Sequence, residues 1–498
     1  MVVQEAYRNT ATVDFADVLL PASAWAEKEG TVTNSERCIS RVHQAVDAPG
    51  AAKPDWWIGV SFAQRLEKQL LAQAIAPRSP STLFAFDSAQ SIWQEHREST
   101  RATDCDITGM TYADLEEYPA QWPMPEGSSS GRKRLYEDGK FCTPDGKARL
   151  IAIAFKEPSE KINAEFPFVL NTGRLRDQWH GMSRTGGVAQ LFGHAPAPVI
   201  EMHALDMERR RIVAGSLVQV QSRRGQITLR AQSNSTLRSG QVFIAMHWGS
   251  EFLYGLDSKT GQASLGVNTL TLGAVDPISK QPELKNAAVK ITPVSEARMP
   301  LIAVAWVSPR RIEAVRALLR SATSTMPYAE LVPFGRDQIG LYLRCYQTKP
   351  FSDVDLTRID HAFGFGAVDF LRVDDARRSQ SKRLLIQDDR LKYLLLAGDI
   401  SSEPWLADLL QTQASVAKLG RQILMPGSKP PRGVTPAGKV ICTCFGVNEK
   451  QINYHLSTVP ASVDERIKSV QNRLQCGTNC GSCLPELRRI CAEFELPA

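Results

Sequence analysis

The sequence predicts a multidomain fold in which an α/β portion is followed by a β portion, an α+β portion and a small helical domain. Three features carry that expectation. At 498 residues the chain exceeds what one hydrophobic core organises, and its length suggests about three domains. The hydrophobic period changes along the chain, from mixed helix and strand patterns to strand alternation and back. Six of the ten cysteines fall between Cys442 and Cys491, which sets the last portion apart chemically.

With 43% hydrophobic and 22% charged residues, the composition is that of an ordinary globular protein. No stretch approaches the roughly 18 to 20 apolar residues of a membrane span, so no membrane partner is expected. The formal net charge of +6 is spread without a basic arm or stripe, which argues against nucleic acid and leaves a small anion open. Met1 runs straight into Val2-Val3, which reads as a strand with no export signal before it. A cytoplasmic location is expected, and the start in mid-strand suggests the C-terminal portion of a longer chain.

Residues 1 to about 70 read as α/β, with strands at Val2-Val3 and Val18-Leu19-Leu20 and a helix from Trp57 to Leu70. The stretch from Trp122 to Arg134 is rich in Pro, Gly and Ser and reads as a connector. From Phe166 to about Ile291 strands dominate. Val218 and Val220 alternate before Ser222-Arg-Arg-Gly225, and Ile227, Leu229 and Ala231 after it, which is a hairpin pattern. Residues 297–424 mix strands and helices; Ser308-Pro309 should open a helix carrying Ile312, Val315 and Leu319. A second linker, 425–438, holds Pro430, Pro431 and Pro436.

Cys442-Thr-Cys444 is followed after 35 residues by Cys480-Gly-Ser-Cys483. Two close pairs brought together by a fold make a four-thiolate site that zinc or an iron–sulfur cluster can occupy. Gly477 and Gly481 let the backbone wrap sulfur closely. Pro485, Leu487, Ile490 and Phe494 place a helix just after Cys483, and a helix N-terminus favours thiolate. The run Cys442-Thr-Cys444-Phe-Gly-Val, with Gln451-Ile452 and Cys480-Gly-Ser-Cys483, resembles the BFD-like 2Fe-2S domain. The resemblance covers about 60 residues and implies that Cys442, Cys444, Cys480 and Cys483 hold a [2Fe-2S] cluster. It leaves Cys476 undecided and makes Cys491 a packing residue.

Asn171-Thr-Gly-Arg174 follows the apolar Phe168-Val-Leu170, and Gln178-Trp-His180 comes soon after. A Thr-Gly turn exposes backbone N–H groups, and Arg174 and His180 add donors suited to a pyrophosphate. With His247-Trp248, Asn268-Thr-Leu-Thr271, Asp276-Pro277 and Gln281 to Lys285, the run resembles the molybdopterin-dinucleotide domain of the DMSO-reductase superfamily. That likeness implies a double-psi β-barrel over 165–293. It also implies cofactor contacts from Thr172, Gly173, Arg174, Gln178, Trp179, His180, Gly181, Asn268 and Lys285. Upstream, Ala16-Asp17-Val-Leu-Leu-Pro21 and Trp25 to Arg37 resemble the end of the central catalytic domain, here 1–121. Lys28 and Asp55 are spaced as the family's cofactor-binding lysine and aspartate. Gln4 and Glu5 stand where a Ser-Asp pair contacts the dinucleotide.

The resemblance as a whole is to bacterial-type assimilatory nitrate reductases. It implies a partial α/β molybdopterin catalytic domain, a connector (122–164), the barrel, an α+β connector or docking domain (297–424), a linker (425–438) and a BFD-like domain (439–498). The implied cofactors are Mo-bis(molybdopterin guanine dinucleotide) and [2Fe-2S], with a [4Fe-4S] cluster expected only in a part not present here. The implied substrate is nitrate, and the implied donor is an NADH-dependent flavoprotein reductase or ferredoxin. No residue of this chain is assigned a catalytic role, because no molybdenum-ligating cysteine is recognisable; Cys38, Cys105 and Cys142 lack a supporting motif. The chain alone is therefore not expected to reduce nitrate. Two other readings remain: a non-catalytic electron-transfer or cofactor-binding fragment, and another molybdopterin enzyme such as a formate dehydrogenase. Gly364-Phe-Gly366 lacks the third glycine of a dinucleotide fingerprint and is given no nucleotide.

Overall fold

The computed structural model describes residues 1–73, 82–256, 261, 263–283, 285–366, 368–459 and 462–494; the end of the predicted cluster domain, 495–498, lies outside them. The chain forms two compact units, Met1–Lys156 and Glu157–Ala498. In the first, β1 (Val2–Glu5) pairs in parallel with β2 (Val18–Pro21). The strands β3 (Gly30–Thr33), β4 (Cys38–Val42) and β5 (Ala120–Gln121) form a three-stranded sheet. The helices are α1 (Asp55–Ala72), α2 (Ala89–Ser99) and α3 (Tyr112–Glu117). The core gathers around Ile39, Trp93, Met110 and Leu115. The helix expected over 57–70 forms, but none of its residues is buried; Trp57, Phe62 and Leu66 are exposed.

The second unit begins with a closed six-stranded barrel. Its strands are β6 (Phe168–Gly173), β7 (Val199–Met202), β8 (Leu217–Gln221), β9 (Gln226–Ser233), β10 (Gln241–Ala245) and, after the short β11 (Leu253–Tyr254), β12 (Ala287–Pro293). A short helix, α4 (Ala204–Arg209), follows β7. The β6/β10 and β7/β9 pairs are parallel and the other pairs antiparallel. Strand β9 buries Ile227, Leu229 and Ala231 and turns the intervening residues outward, as its alternation requires. The β8–β9 hairpin closes through Ser222–Gly225 as the pattern anticipated. Glycine is needed at 225 for contact rather than for dihedral freedom: a Cβ there would lie 2.2 Å from the Thr269 methyl.

Sequence reading missed how the barrel is tied to the segment before it. Glu160 lies in the expected connector, yet its carboxylate takes hydrogen bonds from Arg223 (2.7 Å), Arg224 (2.9 Å) and the Ala288 N–H (2.8 Å). Burial alone would push this carboxyl up, but Arg224, the Ala288 amide and Arg223 outweigh it and hold it at about 2. A depressed folded pKa means the stabilisation is whole above the unfolded value and is lost as pH falls from about 4.5 towards 2. Glu160→Gln should cost about 2 kcal/mol at pH 7, the arginines being partly solvated, and much less at pH 3. Urea midpoints of both proteins at the two pH values check this. An equal difference at both would show that the carboxylate charge is not what matters.

A seven-stranded antiparallel sheet follows, in the order β11-β14-β15-β13-β18-β17-β16. Its further strands are β13 (Met299–Val307), β14 (Tyr328–Phe334), β15 (Ile339–Gln347), β16 (Leu371–Asp375), β17 (Gln380–Gln387) and β18 (Arg390–Ala397). The helices α5 (Ile312–Thr323) and α6 (Asp353–Phe363) share one core with the sheet, and α7 (Glu403–Thr412) shares another. Covered on both faces, β13 buries Leu301 to Ala305 without alternation. Because β11 comes from the barrel's own sequence, the sheet is not confined to the expected 297–424. Gly364 caps α6 in a left-handed conformation at φ +93.

The last portion holds β19 (Val440–Cys442), β20 (Val447–Asn448), α8 (Glu449–Leu456), α9 (Val463–Leu474) and α10 (Leu484–Glu493) around a core of Ile452, Leu456, Val470, Leu487 and Cys491. Among the described residues no helix is long and apolar enough to cross a membrane.

Candidate functional site: a barrel-end loop and a thiol cluster

Three places hold the residues singled out above. In the first unit, Lys28 Nζ and Gln4 Nε2 each donate to Asp55, both at 2.6 Å. Partial burial raises the Asp55 carboxyl, but Lys28 and Gln4 more than offset it and hold it below its usual range. Asp55 also opens α1, where the helix dipole favours an anion. The three residues thus form one polar group, a mutual pairing that the resemblance did not specify. Glu5 is occupied differently: its carboxylate accepts the N–H groups of Ala6 (2.8 Å) and Tyr7 (3.2 Å).

The second place is one end of the barrel. The parallel strands β6 and β10 finish together, Gly173 opposite Ala245, and a Cβ on Gly173 would press 2.9 Å from the Phe243 ring. Antiparallel to β6 runs β12, with Ala287 opposite Leu170; Lys285 lies two residues before that pair and Thr172 two after it. Asn268 sits in a 3-10 turn, Val267–Leu270, tied to β10's exit by the Val267 N–H to Trp248 C=O bond of 3.1 Å. Arg174, Trp179, His180, Gly181, Asn268 and Lys285 are exposed there, whereas Thr172 and Gln178 are buried. Gln178 spends its amide N–H on the Leu191 carbonyl (3.3 Å), and its Oε1 is buried with no partner. Exposed cations beside a leftover acceptor fit an anionic ligand that also carries donors, which is the chemistry of a pterin dinucleotide.

His247 organises this loop, a role that its position after a strand did not reveal. Fully buried, it accepts the Leu175 N–H at Nε2 (2.9 Å) and donates from Nδ1 to the His180 carbonyl, a tautomer set by those two partners. Burial, together with the nearby Arg174 charge, holds the imidazole below its ordinary range despite the His180 carbonyl. A neutral ring therefore staples both ends of the loop, and His180 takes a left-handed backbone, φ 44.

The third place is the thiol cluster. Cys444 Sγ and Cys480 Sγ are 3.3 Å apart, and Cys442, Cys476 and Cys483 have sulfurs within 4.8 Å of one another. The predicted ligands fall into two groups, Cys444 with Cys480 and Cys442 with Cys483, and Cys476, undecided from sequence, joins the second; Cys491 is buried in the same core but lies outside that trio. Hydrogen bonding from Ser482, whose hydroxyl lies 3.0 Å away, lowers the Cys480 thiol, while burial pushes Cys483 up to about 11. Metal binding at the buried side must therefore displace protons. Cys483 immediately precedes α10, so the sulfur stands at a helix N-terminus as expected. The thiol-only donor set, a pair beside a trio, offers the four thiolates that a two-iron cluster needs.

The cluster segment is seated on the barrel-end loop. Thr443, between the first two cysteines, donates to Asp177 (2.8 Å), and its carbonyl accepts Gln190 Nε2 (2.6 Å). Arg176 reaches both the Ile441 carbonyl and Glu486 (3.0 Å). Glu486, on the first turn of α10, also meets His194 (3.2 Å) and Lys439 (2.6 Å). Burial works against this carboxyl's ionisation, but His194 and Lys439 overcome it and hold it at about 2. Nothing in the local sequence pairs residues this far apart, so these contacts were not anticipated.

Three families match this chain: molybdopterin oxidoreductase over residues 1–65, the molydopterin dinucleotide binding domain over 168–288, and the BFD-like [2Fe-2S] binding domain over 440–493. With the site geometry, these describe a chain that joins segments similar to molybdopterin oxidoreductases to a 2Fe-2S-type domain. Its homologues include nitrate reductases. The nitrate reductase of Klebsiella oxytoca is 29% identical, and the alignment covers 99% of this chain and 52% of that protein. The assimilatory nitrate reductase catalytic subunit of Bacillus subtilis is 32% identical over 57% of this chain and 37% of that protein. The F420-dependent formate dehydrogenase subunit alpha of Methanocaldococcus jannaschii is 33% identical over 58% of this chain and 38% of that protein. The chain thus spans about half the length, or less, of these relatives.

Proposed function

We propose that the chain supplies the dinucleotide-binding and electron-input parts of a cytoplasmic, molybdenum-dependent assimilatory nitrate reductase. The observation that carries this reading is the seating of the thiol cluster on the barrel-end loop through Thr443–Asp177 and Arg176–Glu486. The alignment of 99% of this chain with the Klebsiella nitrate reductase, which takes in the cysteine-rich domain as well as the barrel, supports the nitrate reading. Thr172 to Gly181, Asn268 and Lys285 hold the guanine dinucleotide of the cofactor, and Gln4, Lys28 and Asp55 make a further polar contact group. When bound, molybdenum supplies oxygen-atom transfer chemistry and the [2Fe-2S] cluster delivers single electrons from a flavoprotein reductase or ferredoxin. This chain's own residues orient the cofactor and keep the cluster segment in place. His247 holds the loop's shape without contributing a charge.

Deleting the gene in its source organism should abolish growth on nitrate as sole nitrogen source and leave growth on ammonium unchanged. Unimpaired growth on nitrate would overturn the proposal, and a defect confined to formate oxidation would move the chain to the formate dehydrogenases.

A further inference from the structure

Five thiols meet in the cluster domain, one more than a four-thiolate centre uses. They are distributed unevenly. Cys444 and Cys480 form a pair at 3.3 Å, whereas Cys442, Cys476 and Cys483 form a trio within 4.8 Å, buried throughout. Cys476 Sγ lies 3.8 Å from Cys483 Sγ. Cys491 shows what a packing cysteine looks like in this domain: equally buried, but set among the apolar residues of α10 and outside the trio. Cys476 is held in place by the turn that follows it. Gly477 takes φ +88, and a Cβ there would meet the Leu484 side chain at 2.5 Å, so this turn packs against the start of the helix that carries Cys483.

We propose that Cys476 is a substitute ligand: if Cys483 or Cys442 is lost, Cys476 takes its place on the same iron, so the trio tolerates one loss and the Cys444–Cys480 pair tolerates none. This rests on the [2Fe-2S] reading of the domain. The exchange balances simply. The missing residue makes no iron–sulfur bond, Cys476 gives its thiol proton to solvent as its Sγ–iron bond forms, and no electron moves. The cluster keeps four thiolates and the same charge. The travel needed is no more than 3.8 Å to replace Cys483 and no more than 4.8 Å to replace Cys442, and a χ1 rotation between staggered rotamers carries Sγ through most of the first.

The test uses the full 498-residue chain, with alanine substitutions because a serine oxygen can itself bind iron. Iron and sulfide per chain, visible absorption, the EPR spectrum of the reduced protein and far-UV circular dichroism are measured for each variant. Cys476→Ala should match the unsubstituted protein. Cys483→Ala should keep nearly all its iron with shifted EPR g-values, while Cys444→Ala and the double variant Cys476→Ala/Cys483→Ala should lose the cluster. If Cys483→Ala does not fold, Cys442→Ala asks the same of the trio, with retained iron again the expected result. A folded Cys483→Ala or Cys442→Ala without iron would overturn the proposal, as would loss of iron or an altered EPR spectrum in Cys476→Ala. Zinc without iron in the unsubstituted protein would defeat the two-iron reading and the substitution proposal with it.

Discussion

Glu330→Ala should destabilise the 157–498 unit by about 3 to 5 kcal/mol, because it strands the largely buried Arg230 and takes from buried Arg344 one of its two carboxylates. Glu330 is 1% exposed and receives hydrogen bonds from Arg230 (3.1 Å), Arg344 (3.0 Å) and the Tyr328 hydroxyl. Arg344 passes the interaction on to Glu403 at 3.0 Å, so one chain of charges runs from barrel strand β9 across β14 and β15 to α7. With the carboxylate gone, Arg230 loses its anion, and burial makes an unpaired cation costly. Thermal unfolding should fall by on the order of 10 °C. Glu330→Gln keeps hydrogen-bonding capacity and should lose less. Replacing Arg230 and Arg344 by Met in the Ala background should restore much of the stability, since an apolar trio needs no partner. A melting point within about 2 °C of the unsubstituted protein would show that this network does not join barrel and sheet.

Arg174→Ala and Lys285→Ala should each lower the recovered pterin dinucleotide about tenfold when cofactor is limiting. A charge-assisted hydrogen bond to phosphate contributes roughly 1.5 to 3 kcal/mol, and a tenfold change in affinity corresponds to about 1.4. Both side chains are exposed at the barrel end, one after β6 and the other before β12, so removing either leaves the barrel core intact. Arg209→Ala, an exposed arginine at the end of α4, serves as a control for loss of net charge. The measurement is dinucleotide and molybdenum released per chain after production in a host that makes the cofactor. Normal content in both variants would remove these residues from the binding site.

Much of the architecture was legible because it is local. Strand alternation in β8 and β9, the Ser-Pro start of the 3-10 turn (Pro309–Arg311) that runs into α5, and the proline-rich linker before the cysteines all express preferences of neighbouring residues. Exposure of α1 was not legible, since an apolar stripe names a face to be covered but not whether it is covered. Likewise β11 could join the sheet because edge pairing depends on what is adjacent in space.

The sequence by itself determined which residue types stand where: two cysteine pairs at close spacing, a Thr-Gly-Arg turn at a strand end, and a lysine and an aspartate that the fold brings to 2.6 Å. Residue type and spacing are read directly from the chain, because neither depends on what the fold brings together. Only the tertiary structure decided that Cys476 stands beside Cys442 and Cys483, that a neutral His247 staples the loop, and that Glu486 and Arg176 bring the cysteine-bearing segment onto the barrel. Arg176 and Glu486 are 310 residues apart in sequence, and Leu175 and His247 are 72 apart. Contacts at such separation follow from how buried surfaces fit together, for which neither hydrophobic period nor motif spacing carries a signal.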